Sequence, residues 1–371
     1  MSGISRPAVI VTGVSGNLGQ RLLPLLQDFH VIGVDMTPPP SGQLSQFERM
    51  DLGREDSCDS LVQLLKKTEA RAVVHLAFVI DPIRNGVLDV DQMWQINVAG
   101  TARVMEAITE VNRHGGLIDT FIFPSSVSAY GSDTPGPVRE ENPLGAHTLP
   151  YAIHKQEADD VVRFRAANLG ACTAYILRPH IFAGASMQNY LVNALRGTAY
   201  GDGHWGQKLQ REGKRLPMLL PYGEKYLHKR FQFVHVDDVA RLIAHVLQRP
   251  VAKNNLVILN VAGRGDTVSY QTCARIANQK IVRLPSRWLC GLALSLLWNL
   301  KVSTIPPQAL PYMIGSYIMN TTKLKTFLGT HYEEVIQFTI EQALKDCFVE
   351  ERPSTSSTSQ RSAERGLAAK S

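Results

Sequence analysis

The chain has 371 residues, 44% hydrophobic and 19% charged, which is enough apolar material for a sizeable core and excludes a chain that is disordered throughout. Its net charge of +6 comes from scattered basic residues with no run of five or more, so a small-molecule substrate is expected and a nucleic-acid partner is not. The five cysteines, Cys58, Cys172, Cys273, Cys290 and Cys347, form no Cys-x-x-Cys pair and no zinc spacing, so no metal and a reducing compartment are expected.

Residues 1–7 lead into an apolar run without the basic start and long apolar core of a signal peptide, which points to the cytoplasm. Ala8 to Thr12 reads as a strand, followed by a glycine-rich turn and by Leu18, Leu22, Leu25 and Leu26 at helical spacing. The pattern repeats with strands at His30 to Asp35, Ala72 to Leu76, Leu117 to Phe123 and Thr173 to Leu177. Helices are expected around Leu61 to Leu65, around Val98 to Val111 and after Pro150. Such alternation predicts an α/β fold, a doubly wound parallel Rossmann sheet of about six strands.

After Arg178 the regularity stops. His204 to Arg230 reads as a basic, solvated loop. Phe231 to Val236 and Leu256 to Val261 return to strand spacing around a helix that Asp237 and Asp238 are expected to cap, and should rejoin the first sheet. The division expected is a dinucleotide-binding domain over 6–180, completed by about 231–262. A smaller, interleaved C-terminal substrate domain would take 181–230 and 263–345, with a disordered tail over 351–371. Pro285 to Leu300 reads as a core helix of the smaller domain, the sharper alternative being a lid over an apolar substrate. Its apolar stretch, Trp288 to Leu300, is 13 residues long, short of the roughly 20 needed to cross a bilayer, so no membrane span is expected.

Two groups of residues carry chemistry. In Gly13, Ser15, Gly16, Asn17, Leu18 and Gly19, the first glycine allows a tight turn. The second lets backbone amides approach a pyrophosphate, and the third lets the helix pack on the sheet. Asp35 ends the next strand, where a carboxylate accepts from the ribose diol of NAD and repels the extra phosphate of NADP; NAD is therefore expected over NADP. The second group is Tyr151 and Lys155, one helical turn apart. A phenol that titrates near 10 in water needs a neighbouring cation to take a proton near neutral pH. A strand ending in Ser125 and Ser126 supplies hydroxyls for a substrate oxygen.

With these motifs, and with Asp51-Leu52, Val74-His75-Leu76-Ala77, Asn97-Val98-Ala99-Gly100-Thr101, Leu177-Arg178-Pro179 and Phe233 to Ala240, the sequence resembles the extended short-chain dehydrogenase/reductase family, the NAD-dependent epimerases and dehydratases, over roughly residues 6–345. The resemblance implies that Asp51 and Leu52 flank adenine, and that Leu76 and Ala77 lie along the cofactor. It also implies that Ser126 and Tyr151 do the catalysis, with Lys155 binding the nicotinamide ribose and lowering the Tyr pKa, and Asn97 supporting the site. A homodimer through helices near 98–111 and 151–165 is implied as well.

Val127 and Ser128 stand where dehydratases carry Asp-Glu, which argues against dehydration and decarboxylation. The expected function is an NAD-dependent epimerase or dehydrogenase acting on a carbinol of a nucleotide sugar or similar polar substrate. The alternatives are a hydroxysteroid- or dihydroflavonol-type dehydrogenase with an apolar substrate, and a non-catalytic NAD-binding scaffold. Arg178 is a candidate phosphate contact or an anchor of the domain junction. His75 is expected to be a packed residue rather than a base.

Overall fold

The computed structural model describes residues 6–40, 44–80, 83–84, 87–251 and 255–349; the tail expected to be disordered lies outside them. Seven parallel strands form the central sheet: β1 (Ala8–Thr12), β2 (His30–Asp35), β3 (Gln46–Arg49), β4 (Ala72–His75), β5 (Thr120–Pro124), β6 (Thr173–Pro179) and β7 (Leu256–Val261). Their spatial order is β7-β6-β5-β4-β1-β2-β3. Parallel strands covered on both faces need apolar side chains in both directions, hence the unbroken AVIVT of β1, buried throughout. Val9 and Val11 pack with Leu22, Val239 and Ile243 on one face. Ile10 packs with Val104, Ile108 and Ala158 on the other.

The chain runs outward from β1 to β3, then crosses back to β4 on the other side of β1. A crevice therefore opens at the carboxyl ends of β1 and β4. Helices α2 (Ser57–Thr68), α3 (Gly100–Arg113) and α4 (Pro150–Arg165) cover one face of the sheet. Helices α1 (Asn17–Leu22) and α5 (Val236–Gln248) cover the other.

Several expectations change. Strand β3, with the sequence QFER, is a partly exposed sheet-edge strand that alternation does not reveal. Leu256 to Val261 does join the sheet, beside β6. Phe233–His235 does not; it pairs with Ile181–Ala183 just outside. The cap of α5 is His235, whose ring accepts from the Asp237 amide at 3.2 Å. Asp238 instead accepts from the amides of Gln337 and Phe338 at 3.0 and 3.1 Å, tying down the C-terminal segment.

A second apolar cluster, with Leu191, Leu195, Phe231, Tyr270, Leu310 and Ile340, holds the remaining elements together. The basic stretch read as a solvated loop contains a helix at His204–Arg211 and a strand at Met218–Pro221, which pairs with Ile281–Leu284. Helix α6 (Arg287–Asn299) is not the core helix expected: only Cys290 and Leu294 are buried, and Trp288, Leu292 and Leu296 face outward. Among the described residues no helix is long and apolar enough to cross a membrane.

Candidate active site

The glycine turn closes the crevice from below. Gly13 has φ +69°, and a Cβ there would stand 2.4 Å from the Ala77 amide nitrogen, so both conformation and contact demand glycine. A Cβ on Gly19 would stand 2.4 Å from the Val14 carbonyl, so the close approach at this glycine is of the helix to the preceding turn, where the sequence suggested the sheet. Asp35 accepts from the Ser15 amide at 2.9 Å and from its neighbour Met36 at 2.7 Å, so the same carboxylate that faces the crevice also fixes the turn. Asp51 accepts from the Gly53 amide at 2.9 Å.

Together Gly13, Ser15, Gly16, Asp35, Asp51, Leu52, Leu76 and Ala77 line a cleft of about 350 Å³. Leu18 packs into the sheet core beside it. The Asn17 side-chain amide donates to the Ser186 carbonyl at 3.1 Å, tying the start of α1 to the segment beyond β6. A carboxylate at the β2 end, a glycine whose missing Cβ leaves the backbone bare and a cleft with apolar walls fit the adenosine half of a dinucleotide.

A polar relay runs behind this cleft. The Thr101 hydroxyl donates to the Asn97 carbonyl at 2.6 Å, so it accepts from His75 Nε2 at 3.1 Å, and His75 Nδ1 accepts in turn from Thr12 at 2.7 Å. Both ring nitrogens are used, and burial pushes the His75 pKa down to about 3. His75 is thus a neutral structural residue. The Asn97 side chain lies in a widened helical turn, Gln95–Ala99. It pairs with both polar backbone atoms of Val79, at 2.7 and 2.8 Å, and so fixes the chain leaving β4.

The catalytic candidates converge beyond that point. Ser126 Oγ accepts from the Ser128 amide at 3.2 Å and from the Ser128 hydroxyl at 2.9 Å. With both lone pairs engaged, its own proton is free to donate, and it bonds the Tyr151 phenol. Burial pushes that phenol up to about 12, against the lowering effect of Ser126.

Lys155, which the resemblance implies lowers the Tyr pKa, is one turn further along α4, its ammonium 6.0 Å from the centre of the Tyr151 ring. Its ammonium donates to the Pro124 carbonyl at 2.7 Å and lies 3.4 Å from the centre of the Phe78 ring. Desolvation takes its pKa down to about 7, the Asp159 charge opposing. Phe78 also meets Tyr151 edge-on, with ring centres 5.8 Å apart. The sequence reading missed this residue, although it directly follows Val74 to Ala77.

Ser126 and Tyr151 open into a second pocket of about 370 Å³. Its wall includes Leu149, Ile181, Phe182, Met187, Tyr312, Met313 and Tyr317, with His180, Asn189 and Asn193 as polar members; among the described residues lining it there is no lysine or arginine. Arg178 is not part of it. Its guanidinium is fully buried, gripping Asp159 through two bonds of 2.8 and 2.9 Å and also donating to the Tyr130 hydroxyl and the Glu140 carbonyl. That corrects the phosphate-contact reading and leaves the anchoring one. A larger hollow of about 710 Å³ beside Tyr200, Arg211 and Lys301 holds none of the expected site residues.

Compared with known proteins, residues 9–262 match the model of the NAD dependent epimerase/dehydratase family. The UDP-glucose 4-epimerase of Mus musculus is 28% identical over 189 residues, covering 46% of this chain and 52% of that protein. The UDP-glucose 4-epimerase of Erwinia amylovora is 29% identical over 169 residues, covering 42% and 48%. The chain thus spans about half the length of the curated relatives it matches.

Among solved structures, the Thermus thermophilus UDP-glucose 4-epimerase with NAD superposes with a TM-score of 0.62 at 17% identity, covering 93% of this chain and all of that one. A dTDP-glucose 4,6-dehydratase from Bacillus anthracis with NAD gives 0.62 at 18% identity, covering 92% and 95%. At such identities the likeness shows the shared Rossmann-type fold.

Proposed function

The chain belongs to the NAD dependent epimerase/dehydratase family, and from that premise we propose that it is an NAD-dependent oxidoreductase acting at a carbinol or ketone whose surroundings are apolar. The observation that carries this reading is the wall of the Ser126–Tyr151 pocket, where aromatic and aliphatic side chains outnumber neutral polar ones such as Gln188, Asn189, Asn193 and Thr304, with no lysine or arginine among the described residues. A sugar nucleotide would bring two phosphates into it, and desolvated phosphates need paired cations.

Gly13, Ser15, Gly16, Asp35, Asp51, Leu52, Leu76 and Ala77 would hold the dinucleotide, with Lys155 toward its nicotinamide ribose. NAD when bound supplies the hydride acceptor or donor. Tyr151 exchanges the proton with the substrate oxygen and Ser126 donates a hydrogen bond to that same oxygen. With its pKa near 12, Tyr151 keeps its proton at neutral pH, the form that carbonyl reduction uses. Oxidation uses the phenolate and gains from alkaline pH.

A second reading, epimerisation of a nucleotide sugar, is favoured by the resemblance to UDP-glucose 4-epimerases. One assay separates the two: purified protein with NADH and a panel of apolar ketones, and in parallel with UDP-glucose. The proposal expects NADH oxidation with the ketones, reduced about 10²- to 10⁴-fold in Tyr151→Phe while NAD still binds. Conversion of UDP-glucose with no ketone turnover would replace it with the second reading, and a fully active Tyr151→Phe variant would remove the assigned chemistry from both.

A further inference from the structure

Helix α6 is a regular helix, opened by the Ser286 hydroxyl accepting from the Leu289 amide at 3.2 Å. Helices on a protein surface ordinarily turn polar residues outward. Here the outward positions are Trp288, Leu292, Leu296 and, just past the end, Leu300, which are 71, 52, 58 and 53% exposed. Spaced by four, they drift only about 40° per step and form one continuous stripe.

Exposed aromatic residues sit at both ends. The Tyr222 amide bonds the Leu284 carbonyl just before α6, and Gly203 bonds the Lys301 carbonyl just after it, bringing in Trp205. The flanking sequence is basic: between Asp266 and Glu333 it holds no acidic residue, whereas Arg275, Lys280, Arg283, Arg287 and Lys301 are basic, Arg283 being paired with Glu224 at 3.2 Å. Lys208 adds its ammonium over the Trp205 ring at 5.2 Å.

We propose that this face docks on an anionic lipid bilayer, with α6 lying in the plane of the interface. An apolar stripe rimmed by Trp and Tyr and flanked by lysine and arginine matches the boundary between acyl chains and negatively charged headgroups. At 13 residues, α6 falls short of the span that would carry it across. A second copy of the chain would meet the face with the same positive charge, whereas anionic headgroups complement it. Beneath α6, a cavity of about 190 Å³ lined by Cys290, Leu294 and Leu297 shares Met313 with the Ser126–Tyr151 pocket, so the docking face and that pocket have a wall in common. The docking goes beyond the proposed reaction and does not depend on it.

Co-sedimentation of the full chain with vesicles tests it. Vesicles of phosphatidylcholine and phosphatidylglycerol in equal parts should pellet the protein, and salt should release it. Pure phosphatidylcholine should bind markedly less. Leu292→Glu combined with Leu296→Glu should weaken partitioning roughly tenfold or more, with the circular dichroism spectrum and NAD binding unchanged. Arg287→Glu combined with Lys301→Glu should remove the preference for anionic vesicles while leaving the apolar stripe intact. Failure of the wild-type chain to pellet with either vesicle, or undiminished pelleting of both variants, would overturn the proposal. So would light scattering that finds a soluble dimer which the leucine variant dissociates, since the stripe would then cover a second copy.

Discussion

The ammonium of Lys155 lies 3.4 Å from the centre of the Phe78 ring, on the side of α4 where the proposed chemistry needs it to meet a ribose. A cation held over an aromatic face gains about 0.5–2 kcal/mol, and that contact has to be given up before Lys155 can bond to ribose hydroxyls. Phe78→Ala should therefore bind NAD several-fold more tightly, measured by calorimetry. Weaker binding would mean that the ring forms a wall of the cofactor site.

Ser128 should matter to the reaction without touching the reacting atoms. It supplies both hydrogen bonds that orient Ser126, one from its amide and one from its hydroxyl. Ser128→Ala removes only the second, worth about 1 kcal/mol, so kcat should fall roughly five- to tenfold with KM little changed, and Ser128→Thr should recover most of it. An equal loss in the threonine variant would show a packing effect instead.

Acid should destabilise the fold through two histidines. His180 Nδ1 accepts from the Ile181 amide at 2.9 Å and Nε2 donates to the Tyr317 carbonyl at 3.0 Å, so the neutral ring is fully used. Burial takes its pKa to about 4 and that of His75 to about 3. Both lie below the unfolded value near 6.5. Between pH 6.5 and 4 the unfolded chain binds protons that the folded chain refuses, so stability falls as pH drops through that window, by up to about 1.4 kcal/mol per pH unit for each ring. Thermal unfolding at pH 7 and pH 5 should show a smaller loss in His180→Gln than in the wild type; equal losses would refute the assignment.

The Arg178–Asp159 pair should be costly to break and neutral for specificity. Removing one partner strands the other charge in the core, which typically costs 3–5 kcal/mol. Asp159→Asn should lower the denaturant midpoint accordingly while leaving the relative rates on different substrates unchanged. A change in substrate preference at unaltered stability would return Arg178 to the binding site.

Asp35 should set the choice of dinucleotide. Thermal shifts of the wild-type chain should be larger with NAD than with NADP at equal concentration. Asp35→Asn loses the charge and keeps an acceptor for only one of the Ser15 and Met36 amides, which bond different carboxylate oxygens, so the gap should narrow with a somewhat loosened turn; a wild-type preference for NADP would overturn the reading of this carboxylate.

What the sequence revealed follows from how local each signal is. The glycine turn, Asp35 and the Tyr151–Lys155 spacing are each set within one or two adjacent elements, and the fold brings them where the sequence placed them. The surroundings of Lys155 were not legible, because only the tertiary packing sets Phe78 and the Pro124 carbonyl against that ammonium. Arg178 was equally ambiguous until Asp159, Tyr130 and Glu140 converged on it from three other segments. The pocket wall, with Tyr312, Met313 and Tyr317 contributed from far along the chain, has no motif at all.

The order of strands has a consequence for biosynthesis. All seven residues of β6 are buried, and its outer edge is covered by β7, which lies beyond the excursion over residues 180–255. Until Val261 has left the ribosome, β6 presents open amides and carbonyls on an apolar ribbon, the kind of edge onto which another nascent chain can add. A chain shortened to end anywhere in that excursion keeps every residue of the glycine turn and of the Ser-Tyr-Lys group and still lacks its closing strand. Folding of the nucleotide-binding half therefore waits on β7, which leaves the ribosome after Ile181, Phe182 and Asn193 of the pocket wall and before Tyr312, Met313 and Tyr317, so the sheet closes before the pocket does.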